Sequence, residues 1–172
     1  MHRATLQSQR DIARTIIARR FPQHWPTHAF SRLRTPKPSG APGVATFIDV
    51  LPHPPKPQSL PAGTIWREKP RLNIPGSVWL PDTGYGTLAA ATEDYLRHGL
   101  ARASGGNNAK LLVIYCQADC WMSWNATKRA LSYGYPNVAW YPEGTDGWLR
   151  ANLPVAESQP EPRAGEEESS PR

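Results

Sequence analysis

Two thiols stand four positions apart in Cys116-Gln117-Ala118-Asp119-Cys120, and Trp121, Met122 and Ser123 follow at once. A cysteine reacts as its thiolate, which attacks sulfur or carbon electrophiles or carries a persulfide. A second thiol at this spacing can reach the first if the loop folds back. Reversible disulfide formation is then open to the pair, provided the two Cα atoms come within about 7 Å. Two thiols without a second ligand pair fall short of the roughly four ligands of a structural zinc site. His24, His28, His53 and His98 are scattered along the chain and read as loop or surface residues, so no metal and no other cofactor is expected.

What precedes and follows the loop decides how it is presented. Leu111 to Tyr115 (LLVIY) is a continuous apolar run bounded by chain breakers, the pattern of a strand buried on both faces at the centre of a sheet. A helix is expected from about Ser123 to Tyr133, stopped by Gly134. A thiol between such a strand and such a helix is expected to meet successive backbone N–H groups and the positive end of a helix, both of which favour the thiolate. A buried, inert cysteine filling a strand end is an equally weighted reading. Asp119 is a contrary signal, because a carboxylate in the loop disfavours a neighbouring thiolate and repels anions. Trp121, Trp124, Trp140 and Trp148 read first as core or lid aromatics, and Lys128 and Arg129 as a solvated face within reach of a sulfur-bound anion.

Elements that position this loop are legible on either side. Val44 to Val50 (VATFIDV) is β-rich and carries a carboxylate at Asp49. A proline-rich excursion from Leu51 to Pro70, with Trp66 as its anchor, is longer than ordinary connections and suits a segment that covers a site. Asn73 to Leu80 reads as a turn leading into a short strand. Residues 87–103 read as a helix closed by Ser104-Gly105-Gly106. Asn137 to Tyr141 is another strand, and the loop from Pro142 to Gly147 leads to Trp148 and a last helical turn. Strands alternating with helices predict an α/β fold with a mainly parallel central sheet and helices on both faces. Sites in such sheets lie beyond the carboxyl ends of the strands, which is where Cys116 stands.

The termini differ from this middle. With 172 residues, 39% apolar content and 19 prolines, the chain is expected to hold one domain, residues 44–155, between irregular ends. Residues 1–43 are a basic leader and proline-rich linker, with residues 4–20 forming either a targeting-type amphipathic helix or, the favoured reading, a frayed leader. Residues 156–172 are an acidic tail without large apolar residues, expected to be disordered. The net charge of +6 divides into +7 over residues 1–40, +2 over 41–156 and −3 over 157–172. A basic arm on a near-neutral domain lacks the continuous basic face of a nucleic-acid binder. No run approaches the roughly 18 apolar residues of a membrane span, and no secretory h-region is visible at the start.

Taken in order, Ile48-Asp49-Val50, Ile74-Pro75-Gly76-Ser77, the strand into Cys116, Ser123-x-x-Ala126, Gly134-Tyr135-x-Asn137-Val138 and Gly147-Trp148 resemble the pattern of rhodanese domains over about 100 residues. More narrowly, Cys116-x-x-x-Cys120-Trp121 together with Ile74-Pro75-Gly76-Ser77-Val78-Trp79-Leu80-Pro81 resembles the CxxxCW-motif proteins associated with PQQ-dependent alcohol catabolism. The resemblance implies a rhodanese-like fold with Cys116 at the persulfide-forming position. It also implies a periplasmic location, and partners among quinoprotein dehydrogenase pathway proteins or a thiol acceptor. The chain departs from sulfurtransferases of this fold, which place Arg then Ser five and six residues after the nucleophile, where Trp121 and Met122 stand here and Ser123 comes one later. It also shows no export signal, which read alone would leave it in the cytoplasm.

Three functions follow. Cys116 and Cys120 are the catalytic candidates, with Gln117, Ala118, Asp119, Trp121, Met122 and Ser123 forming the active-site loop. The first function is a sulfurtransferase in which Cys116 carries a persulfide, accessory to PQQ-dependent alcohol oxidation. The second is a Cys116/Cys120 thiol–disulfide redox or cofactor-binding accessory protein. The third is a binding module that keeps the fold without the chemistry.

Overall fold

The structure, a computed structural model, describes residues 45–57, 59–61, 63–65 and 70–163. The basic leader, read as frayed or as a targeting-type helix, the proline linker, His24, His28 and Trp66 lie outside the described residues. The chain runs β1 (Thr46–Asp49), β2 (Arg71–Asn73), β3 (Val78–Trp79), α1 (Ala90–Ser104), β4 (Leu112–Tyr115), α2 (Trp121–Ser132), β5 (Val138–Tyr141), α3 (Gly144–Arg150) and β6 (Ala156–Ser158). Strands β3, β1, β4 and β5 make one parallel sheet in that order, while β2 and β6 form a separate antiparallel pair.

Alternation along the central strands divides the core between two faces, as a strand's twofold side-chain period requires. Ile48, Leu112 and Ile114 point to the face covered by α1 and α2, where they meet Leu96, Leu100, Ala126 and Ala130. Phe47, Val113 and Tyr115 point the other way, against Ile74 and against Trp148 of α3. This is the expected mainly parallel α/β sheet with helices on both faces. Helix α1 ends as its composition predicts, with Gly105 in the left-handed region at φ 63° and its N–H returning to carbonyls of the last turn. Helix α3 begins at Gly144, inside the stretch expected to be a loop.

The topology sets the location of the site. From β1 the chain reaches β3 on one side, whereas the crossover through α1 brings β4 to the other side, so the connections diverge between β1 and β4. Asp49 and Tyr115 are register partners at that point, and Cys116 follows immediately. A parallel sheet opens a crevice at its carboxyl edge where connections diverge in this way.

The expectation of disorder from residue 156 fails for residues 156–163. Strand β6 pairs with β2 through Arg71↔Ser158, Leu72↔Glu157 and Asn73↔Ala156. Beyond it, the Glu161 N–H donates to the Trp79 carbonyl at 2.9 Å, and the Tyr95 hydroxyl donates to the Glu161 carbonyl at 2.7 Å. Arg102 pairs with the Glu161 carboxylate, and the Arg163 guanidinium lies 4.4 Å from the centroid of the Tyr95 ring. The segment is tied down by backbone pairing and polar contacts, which its lack of large apolar residues does not reveal. Ending the chain after Val155 is therefore expected to cost about 1–3 kcal/mol relative to ending it after Arg163, read as a lower urea midpoint. Equal midpoints would show that these contacts add nothing.

Candidate functional site

Cys116 leaves β4 with its carbonyl already engaged. The Thr145 N–H donates to it at 3.0 Å and the Thr145 hydroxyl at 3.3 Å. Gly144 lies so close that a Cβ there would fall 2.5 Å from the Cys116 carbonyl oxygen and 2.7 Å from the Cα of Gln117, and its φ of 51° is the left-handed conformation that glycine adopts freely. One residue further, the Ala118 N–H donates to the Asp146 carboxylate at 2.8 Å. The start of α3 thus holds the backbone of the cysteine loop. Asp119 turns the chain at φ 57° with its side chain exposed, and Cys120 takes the N-cap position of α2.

The two sulfurs are joined as a disulfide, with Cα atoms 6.3 Å apart, inside the range such a bond spans. Cys116 is 0% exposed and Cys120 is 9% exposed. Oxygens surround the Cys116 sulfur: the Gln117 carbonyl at 3.7 Å, the Cys120 carbonyl at 3.5 Å and the Ser123 hydroxyl at 3.4 Å. Among the described residues no backbone N–H donates to it. The expected amide cradle is not formed here, because the Ala118 N–H is spent on Asp146 and the disulfide turns the sulfur toward Cys120.

The remaining loop residues separate into contacts and surface. Ser123, fully buried, donates to the Cys120 carbonyl at 3.1 Å and accepts from Trp140 Nε1 at 3.0 Å, so it lies between both cysteines and the next strand. Met122 packs at the edge of the α1/α2 core face, whereas Gln117 is exposed and Trp121 is 54% exposed. The Trp140 and Trp124 rings pack at a tilt with centroids 5.2 Å apart, and Trp148 is a core residue whose Nε1 donates to the Pro154 carbonyl at 2.8 Å. Arg129 donates to the Gly86 carbonyl at 2.7 Å, which commits it away from the sulfurs. His53 packs at a tilt against Trp79 with ring centroids 5.0 Å apart, and no cluster of three or more His, Cys, Asp or Glu residues suited to a metal occurs among the described residues.

An ion pair missed in the sequence lies beneath the loop. Asp49, fully buried at the end of β1, accepts from Arg71 Nε at 2.8 Å and from the Leu51 N–H at 2.8 Å. Arg71 Nη2 also reaches the Thr145 hydroxyl at 3.4 Å, so the ion pair is linked through Thr145 to the Cys116 carbonyl. The available signal was Asp49 itself, since a carboxylate on a buried strand requires a partner. Beside it, the Tyr115 hydroxyl donates to Ser77 Oγ at 2.7 Å and accepts from the Ile74 N–H at 3.1 Å, which fastens the Ile74–Ser77 turn to β4. Burial, with the Asp49 charge nearby, pushes the Tyr115 phenol up and keeps it a neutral donor.

Burial also pushes the Asp49 carboxyl up from an ordinary 3.8 to about 6, against the pull of the Arg71 guanidinium and the Leu51 N–H. Below the lower value both folded and unfolded chains hold the proton. Between the two values the unfolded chain loses it first, so stability falls as pH rises through this window. The shift corresponds to about 3 kcal/mol. Denaturant titrations of the parent and Asp49→Asn proteins from pH 3.5 to 7.5 are expected to show a difference that drifts against the parent between about pH 4 and 6 and is flat above. A difference that grows in the parent's favour across that window would reverse the assignment.

Residues 67–151 match the family model of the rhodanese-like domain. Among curated proteins, none matches the chain at a significant level. The match takes in β2 through α3 and begins after β1, which the sheet nevertheless holds between β3 and β4. Sequence match and sheet topology agree on the architecture: this chain contains a rhodanese-like domain, and the Cys116–Cys120 loop falls within its matched stretch.

Proposed function

We propose that the protein is a thiol–disulfide exchange protein on a rhodanese scaffold, with Cys116 and Cys120 as its dithiol/disulfide couple. The observation that carries this reading is the bond between the two cysteines across a loop whose backbone is held from α3. In the exchange, a dithiol donor gives two electrons to the disulfide, leaving Cys116 and Cys120 as thiols and the donor as a disulfide. The reverse reaction reduces the donor's disulfide back to the dithiol and restores the Cys116–Cys120 bond. The narrower resemblance of Cys116-x-x-x-Cys120-Trp121 supports assigning this couple to PQQ-dependent alcohol catabolism, beside quinoprotein dehydrogenases in the periplasm. There the oxidised form would be the resting state.

The rhodanese family supports a second, related reading. In the reduced protein, Cys116 would accept a sulfane sulfur as a persulfide and pass it to an acceptor thiol. Attack by the Cys120 thiol on the Cys116 sulfur would instead expel hydrogen sulfide and restore the disulfide. Both readings use the same two residues and differ in whether sulfur or only electrons are transferred.

Thiol counting in graded redox buffers tests the proposal. The expected result is loss of two thiols together in one transition with a two-electron slope, about 30 mV per tenfold change. Both Cys116→Ser and Cys120→Ser would abolish the transition. Two thiols that oxidise independently would remove the couple. Intact-mass analysis of the reduced Cys120→Ser protein, whose one thiol is Cys116, after exposure to sulfane donors separates the second reading, which requires an adduct of one sulfur atom there.

A further inference from the structure

The two sulfurs of the proposed couple are not equivalent. We infer that Cys120 is the sulfur at which an external thiol exchanges and Cys116 is its buried resolving partner, an inference that rests on the thiol–disulfide reading above. A rhodanese-type reading would give the leading role to the strand-end residue instead.

Access is the first difference between the two sulfurs. An incoming thiolate must reach the sulfur it attacks, so exchange is governed by which sulfur is open. Cys116 exposes nothing, sits in the core with Ile114 and Ala126, and is backed by Gly144 and Thr145 against its carbonyl. Cys120 lies at the rim of the same core cluster and keeps 9% exposure between two exposed residues, Asp119 and Trp121.

Charge is the second. Cys120 occupies the N-cap position of a 12-residue helix, and its side chain makes no capping hydrogen bond. The unpaired N–H groups of that first turn favour negative charge on a sulfur placed there. Cys116 instead faces the Cys120 carbonyl and the Ser123 hydroxyl at 3.5 and 3.4 Å. That setting suits a protonated thiol, which can donate to either oxygen. After reduction, the start of the helix favours negative charge at Cys120, while the oxygens around Cys116 favour its protonated form.

The steps balance. A donor thiolate attacks the Cys120 sulfur, forming a donor–Cys120 bond, and the Cys116–Cys120 bond breaks with its electron pair on Cys116, which takes up a proton from solvent. The donor's second thiolate then attacks its own sulfur in the mixed disulfide, and the Cys120 thiolate leaves. The donor ends as a disulfide and the protein as a dithiol. In reverse, the Cys120 thiolate attacks a substrate disulfide and Cys116, losing its proton, resolves the mixed disulfide.

The oxidised full-length protein is exposed briefly to glutathione, quenched with acid and mapped by mass spectrometry, with the mixed disulfide expected on Cys120. In a parallel measurement with oxidised glutathione, Cys116→Ser, which keeps Cys120, is expected to react at least roughly tenfold faster than Cys120→Ser, which keeps Cys116. Glutathione found on Cys116, or equal rates for the two variants, overturns the assignment while leaving the couple intact. A protein whose thiol count never responds to glutathione at any ratio overturns the couple itself. The mapping on the parent protein needs neither variant to fold.

Discussion

The Cys116 carbonyl is the anchor on which the rest of the site depends. Two hydrogen bonds from Thr145 and the close approach of Gly144 fix how the chain leaves β4, before any side chain in the loop is placed. From that point only a short path leads to the N-cap of α2, and the second hold, Ala118 on Asp146, turns it back on itself. The cysteines are brought within bonding reach by α3, an element that comes later in the chain than either of them. Parallel pairing of β1 with β4 adds the floor, because it lines up Asp49 with Tyr115 and lets Arg71 connect the carboxylate to Thr145.

Buried polar groups of this kind carry large energetic stakes. Removing either partner of the Asp49–Arg71 pair leaves a charge that the interior cannot solvate, and the same bonds that neutralise it also orient Thr145. The loop is therefore held by a chain of contacts, each of which satisfies a group that would otherwise be costly to bury. Cys116 lies at the dry end of that chain and Cys120 at the edge that meets solvent. Dithiol chemistry needs such a division, since one sulfur must meet the partner and the other must wait.

Where the sequence could be read, it was through hydrophobic pattern. Leu112 to Tyr115 alternates between two cores, Thr46–Asp49 pairs beside it, and the helix ending at Gly105 closes as its residues predict. The cysteine loop between β4 and α2 was legible for the same reason, as an apolar run followed by breakers. Strands β2 and β6 were not, because each has three residues and is stabilised by its partner more than by its own composition. The Asp49–Arg71 pair joins residues 22 positions apart across a proline-rich segment with no periodicity to follow. Of the two environments open to the Cys116 sulfur, burial at the strand end is the one found, and the amide cradle is not, because amide directions depend on local turns, here the left-handed Asp119 and the bond from Ala118 to Asp146, which composition does not encode.

The account stands on one claim, that Cys116 and Cys120 change oxidation state as a unit inside an otherwise unchanged domain. Its most direct test follows the 13Cβ resonances of both cysteines, together with those of Thr145 and Trp140, while the protein is poised from fully reduced to fully oxidised. The account predicts that both cysteine signals convert at one common potential and that Thr145 and Trp140 report the same transition with the sheet resonances unmoved. Conversion of the two cysteines at separate potentials, or of one without the other, would contradict it.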